Sequence, residues 1–233
     1  MIKSIRTLLM VTLSCMGSLM CSAQEINALV LKAKQKIDKV NDYEASGRMK
    51  TNVTFLKVPI ATVKIYFKKP NKLKVKSEKG ISFILKGAVS INMSNILGTN
   101  DYTIIDAGKE MIGKVPVRVA RLLPNDDNSD VVLSTIYIDE VNNLILRSKT
   151  TTKENGTYEL EMTYGKYAAF SLPDKIIFAF NTKDYKLPKG VTFDFDDGTT
   201  NKTPDKNKNK KGRAEITFSS YTINKGVPAS VFL

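Results

Sequence analysis

Carboxylates are the groups on which catalysis by this chain would have to rest, because histidine is absent and the two cysteines, Cys15 and Cys21, both lie near the start. Without imidazole the commonest general base is missing, and thiolate chemistry has no residue beyond position 21 to use. No G-x-S-x-G elbow, complete Walker loop or G-x-G-x-x-G occurs. Paired carboxylates can still hydrolyse a glycosidic bond, and two acidic clusters could be tested for it. Asp139-Glu140 sits in IYIDEVNN, where apolar alternation gives way to turn formers, so a surface turn accounts for it. Asp194, Asp196 and Asp197 stand in FDFDDG, a loose likeness of a calcium loop, but Gly198 comes one position early and no glutamate follows at the required spacing. A non-enzymatic protein with no catalytic residue, no metal and no cofactor is the expectation.

The elements around these residues begin with a leader. Lys3 and Arg6 precede an apolar stretch from Leu8 to Leu19, and Cys21-Ser22-Ala23 supplies small residues at a cleavage position. Residues 1–23 thus read as an export signal cleaved after Ala23, and the stretch falls short of the ~18–20 residues that span a bilayer. Lipid attachment is the less favoured alternative: Met20 is too bulky before Cys21, and using Cys15 would cut the apolar core short. Both cysteines leave with the leader, so apolar burial alone must stabilise the mature chain. About 210 residues can do that as one domain, 24–233.

Lysine and arginine total 36 against 23 acidic residues, a net charge of +13. Such a charge favours anionic partners. For an exported chain these are lipid headgroups or acidic glycans rather than nucleic acid. Part of the excess is local, in NKTPDKNKNKK at Asn201–Lys211, which reads as a solvated loop with headgroup contact as the alternative.

Ile26, Leu29, Val30, Ala33, Ile37 and Val40 recur at helical spacing, predicting one amphipathic helix that ends near Asn41-Asp42. From Tyr43 the period becomes 2. Met49–Phe55, Ala61–Phe67 and Leu73–Ser77 are predicted as consecutive antiparallel strands, since the short turns leave no room for crossover helices. Further strands are predicted near Tyr102–Ala107, Val115–Leu123, Leu133–Asp139, Leu144–Lys153, Thr157–Tyr167, Ile176–Thr182 and Ala214–Ile223, with a type I′ hairpin at Asn155-Gly156. Ile81–Leu97 breaks the alternation. It reads either as plain core or as a buried strand followed by a short helix at Ser90–Leu97, whose methionine suits a mobile cover. A membrane-spanning barrel is disfavoured, because tryptophan is absent and Lys64, Lys68, Lys69, Lys72, Lys74 and Lys76 would face lipid.

The fold class that follows is mainly β: a single strongly curved antiparallel sheet with an N-terminal α-helix and a short helical lid. One long helix cannot cover so many strands. Closing the sheet around an apolar cavity solves this, and such a cavity suits acyl chains.

The order of several short motifs resembles the LolA-like periplasmic lipoprotein carriers. Tyr66-Phe67-Lys68-Lys69-Pro70-Asn71-Lys72-Leu73 looks like their x-R-P-x-x-(F/L)-R segment, and Gly113-Lys114-Val115-Pro116-Val117-Arg118-Val119 like a following strand. Ile136-Tyr137-Ile138-Asp139-Glu140 with Leu144-Ile145-Leu146-Arg147 resembles their strand-turn-strand, and Asn155-Gly156 and Leu172-Pro173-Asp174-Lys175 fit its sequel. The resemblance implies an unclosed β-barrel, a half-barrel with a helical lid and a hydrophobic cavity that shields acyl groups in transit between membranes. The superfamily also contains lipoprotein receptors and stress sensors. The family's lid-holding arginine falls on Lys69, which lacks a planar multidentate fork, and its tryptophan-bearing strand is replaced by Ile81–Leu97.

The function expected is that of a periplasmic carrier or sorting chaperone for lipoprotein acyl chains or lipid, serving outer-membrane biogenesis as a monomer in transient membrane contact. An envelope sensor or interaction protein on the same fold is the alternative, and a carboxylate hydrolase is a third. Val63, Ile65, Phe67, Leu73, Val75, Phe83 and Leu85 are the cavity candidates, Met93, Ile96 and Leu97 the lid candidates, and Lys69 the lid contact. Alternation alone leaves open which face of each strand lines the cavity.

Overall fold

The computed structural model describes residues 24–53, 56–57, 60–70, 72–79, 97, 101–154, 156–181 and 211–233. The leader, most of Ile81–Leu97, FDFDDG and the lysine-rich segment 201–210 lie outside the described residues.

Helix α1 covers residues 24–38. Its buried stripe is Ile26, Val30, Ala33 and Ile37, the three-to-four spacing that one helical face requires. Lys34 and Asp38 pair one turn apart at 3.0 Å on the other side. The last turn leaves carbonyls without intrahelical partners, and distant residues supply donors. The Lys69 ammonium donates to the Asp38 carbonyl at 2.7 Å, and the Asn224 amide donates to the Lys39 carbonyl at 2.8 Å.

The strands are β1 (Asp42–Val53), β2 (Leu56–Lys57), β3 (Ala61–Lys68), β4 (Lys72–Lys79), β5 (Tyr102–Ile112), β6 (Val115–Pro124), β7 (Val131–Asp139), β8 (Leu144–Thr152), β9 (Gly156–Thr163), β10 (Lys175–Asn181) and β11 (Lys211–Ile223). They form one sheet in the order β4-β3-β1-β11-β10-β9-β8-β7-β6-β5, with β2 paired to β1. All the pairings are antiparallel. The end strands β4 and β5 do not pair with each other, so the sheet is open, as the resemblance implied. Gly113 and Gly156, with φ of 61° and 68°, occupy the hairpin positions that require left-handed backbone. The strand predicted to reach Tyr167 stops at Thr163, because Tyr167 precedes a 3-10 turn, Ala168–Phe170.

Strand pairing by register assigns the faces. Residues directly opposite in an antiparallel pair share a side, so Val75, Ile65 and Ala45 share one, as do Met49, Ile216, Ile176 and Met162. The same face continues through Leu160, Ser148, Ile136 and Ala120 to the far edge. Helix α1 lies on this inner face: its four stripe residues pack with Leu122, Ile136, Ile138, Ile145, Leu160 and Phe178 among others. A second cluster occupies the β1, β3 and β11 part of the face and takes no residue from α1, only Val40 just beyond it.

Two glycines make the close approaches possible. A Cβ on Gly47 would stand 2.7 Å from the Thr217 carbonyl, beside the bulge that shifts the β1–β11 register. A Cβ on Gly212 would stand 2.2 Å from Phe180 Cζ, so the bare glycine is what lets that ring lie across β11. Among the described residues no helix is long and apolar enough to cross a membrane.

Candidate functional site

The inner face of β1, β3, β4 and β11 brings five sequence-predicted residues together. Val63, Ile65 and Phe67 project from β3 and are buried, Val63 with 0% of its surface exposed. Their partners Leu73 and Val75 on edge strand β4 are half-buried, so this cluster reaches water along β4. Leu97 is buried elsewhere, within the α1 cluster, rather than beside β3 and β4. Phe83, Leu85, Met93 and Ile96 lie outside the described residues.

Aromatic residues that sequence reading had passed over line the same region. Tyr43 packs on Phe67 with ring centroids 5.3 Å apart, and Tyr221 meets Tyr43, Tyr167 and Phe218 at 5.5, 4.9 and 4.9 Å. Their phenols are oriented by internal bonds: Tyr221 Oη donates to the Pro173 carbonyl at 2.8 Å, and Tyr167 Oη accepts from the Tyr221 amide at 3.3 Å. Burial pushes the Tyr43 and Tyr221 phenols well above their ordinary range, so both stay neutral. The signal for Tyr221 was its place in an alternating strand. Tyr167 was expected at a strand end, whereas it precedes a 3-10 turn, which has no periodicity to mark it.

Helix α1 meets edge strand β5 across a cleft of about 420 Å³, lined by Asn27, Val30, Leu31, Lys34, Gln35, Asp38, Tyr102 and Ile104. The lining mixes apolar groups with the polar Asn27 and Gln35 and the charged Lys34 and Asp38. Burial by itself would raise the Asp38 carboxyl, but hydrogen bonds from Lys34 and Lys69 hold it below the ordinary range. Lys69, expected as a lid contact, is here a tether on α1: it donates to both the carbonyl and, at 3.3 Å, the carboxylate of Asp38.

Polar groups on the inner face are few and mostly paired. Ser134 and Thr150 hydroxyls bond at 3.0 Å across β7 and β8. The buried Ser148 hydroxyl beside them has no partner among the described residues. At the far edge Arg118 Nε donates to Asp106 at 3.0 Å and its second nitrogen reaches the other carboxylate oxygen. Burial would raise Asp106, yet Arg118 and the Gly108 amide keep it below the usual carboxylate value.

The carboxylate with most claim to catalysis is committed to a turn. Asp139 Oδ1 accepts from the amides of Val141 at 2.9 Å and Asn142 at 3.1 Å, and Oδ2 accepts from the Asn142 side chain at 2.7 Å. Among the described residues no three acidic side chains cluster closely enough to hold a metal.

No protein-family model matches this sequence, and no curated protein matches it. Solved structures do. A DUF1329 family protein from Desulfovibrio piger superposes with a TM-score of 0.60 at 12% identity, over 91% of this chain and 97% of that one. A putative outer membrane lipoprotein-sorting protein domain from Vibrio parahaemolyticus gives 0.55 at 10% identity, over 88% and 94%. A LolA superfamily protein from Nitrosomonas europaea gives 0.51 at 10% identity, over 88% and 97%. The fold is LolA-like, as the order of the sequence motifs implied.

Proposed function

We propose that this chain is a non-enzymatic periplasmic carrier that holds the acyl chains of a lipoprotein or lipid against the inner face of its sheet during transit to the outer membrane. The observation that carries this reading is the extent of that face relative to α1. It runs unbroken through ten strands, and the helix packs on only part of it. Beyond the buried Val63, Ile65 and Phe67, the apolar surface that stays accessible is that of the half-buried Leu73 and Val75 on β4, and an acyl chain would be held there. Burial at ~0.8 kcal/mol per methylene retains such a chain without a specific polar contact. The cleft between α1 and β5 offers further apolar contacts through Val30, Leu31, Tyr102 and Ile104. Commitment of Asp139 to its turn agrees with a protein that does no hydrolysis. The likeness to a lipoprotein-sorting domain supports the same reading at the level of fold.

Native mass spectrometry of protein purified from the envelope tests it. Co-purifying lipid or lipoprotein is the expected result. An empty protein bound to a stable protein partner would support a sensor instead.

A further inference from the structure

The outer face of the sheet carries its charges in two different ways. On β8 and β9 the register sets opposite signs against each other: Arg147 faces Glu161 and Lys149 faces Glu159. Arg147 contacts Glu159 at 3.1 Å and Glu161 at 3.3 Å. Lys50 on β1 likewise faces Glu215 on β11. On β3 and β4 the register sets lysine against lysine. Lys64 faces Lys76 and Lys68 faces Lys72, with Tyr66 opposite Lys74 between them.

Directly opposed like charges weaken a strand pair. Alternate residues on a strand lie about 6.6 Å apart and neighbouring strands about 4.8 Å, inside the ~8 Å Debye length of physiological salt, so these fields add. Lys64 reaches Glu44 at 3.5 Å, Lys68 donates to the Val227 carbonyl at 3.0 Å, and Lys76 lies over the Tyr66 ring at 5.6 Å. Tertiary structure adds an apolar component. A 3-10 turn, Ala229–Phe232, packs on β4, and Lys74 donates to the Leu233 oxygen. This places Leu233, 94% exposed, beside the lysines.

We propose that the outer face of β3 and β4, together with Leu233, docks on anionic phospholipid headgroups. Lysine stems and a leucine side chain enter the headgroup boundary while the ammonium groups remain among the phosphates. An acidic glycan would use the lysines but gain nothing from Leu233. The acyl-binding face is on the other side of the sheet, so docking does not depend on acyl binding.

The experiment is co-sedimentation of the exported protein with phosphatidylcholine vesicles, with and without one-third phosphatidylglycerol, at low and physiological salt. Binding to the anionic vesicles alone, weakened by salt, is expected. Combined K72Q, K74Q and K76Q should lower partitioning about 100-fold, at a factor of several per lysine. The same charge removed by K32Q, K114Q and K149Q should change it less than about threefold, and Leu233→Asp should weaken it independently. Thermal midpoints and retention of a fluorescent acyl probe should stay at the wild-type level in all these variants. Equal binding to neutral vesicles, equal loss in the two lysine triples, or heparin binding without vesicle binding would each overturn the proposal. Loss of acyl-probe binding in the wild type with vesicle docking intact would remove the carrier reading and leave this one standing.

Discussion

Asp139 and Lys69 illustrate how a residue's type leaves its job open until its neighbours are known. The aspartate looked like a possible acid in a hydrolase, yet its two oxygens accept three hydrogen bonds from the β7–β8 turn. Replacing it with alanine orphans two backbone amides, and a loss of about 2 kcal/mol in chemical denaturation is expected, with acyl-probe retention unchanged. Turnover abolished by that change would sink the carrier. Lys69 matches the arginine that resemblance assigns to a lid, a segment outside the described residues, and among the described residues it ties off α1. Lys69→Met should lower stability by about 1 kcal/mol, the scale of one hydrogen bond to a charged group at a partly exposed helix end.

At the level of elements, α1 is docked by its stripe and anchored by charge at its last turn. Asp38 pairs with Lys34 and Lys69, and Asp106 at the sheet edge pairs with Arg118. Both carboxyls are held below their ordinary value of 3.8 in the folded chain. A carboxyl depressed by folding contributes its stability above the unfolded value and loses it as pH falls through the folded value. Acid titration followed by circular dichroism should therefore show constant stability from neutrality down to about pH 4 and progressive loss below it. The D38N and D106N pair should flatten that loss. The β11 strand depends on Gly212, whose missing side chain makes room for Phe180. Gly212→Ala should cost about 1–3 kcal/mol through displacement of the ring, read as a lower denaturation midpoint.

Over the whole molecule, the division of the inner face into a part under α1 and a part beyond it predicts how two similar substitutions diverge. Val63→Asp puts a charge at a site with no exposed surface, so global unfolding is expected. Leu73→Asp alters a half-buried residue on the edge strand, where the carboxylate can reach water. It should leave the thermal midpoint within a few degrees and weaken acyl-probe retention by about tenfold or more, the scale of losing a buried side chain. Retention unchanged in Leu73→Asp would move the acyl site to the cleft at β5.

Local periodicity determined the elements: a 3.6-residue stripe before Asn41 and a two-residue alternation after Tyr43 place the helix and nearly every strand, because each needs only residues close in sequence to declare an apolar side. Consecutive short turns likewise dictated the β1–β3–β4 run, and Asn155-Gly156 the β8–β9 hairpin. The pairing of β1 with β11 was not legible, since it joins residues such as Ala45 and Tyr221 across most of the chain and no local pattern encodes which distant strand fills a gap. That pairing joins the two runs into one face, turns Val63, Ile65 and Phe67 toward the side that carries α1, and gathers Tyr43, Tyr167 and Tyr221 around them. Alternation supplies two faces and no sign; the long-range register and the docking of α1 decide which one is buried.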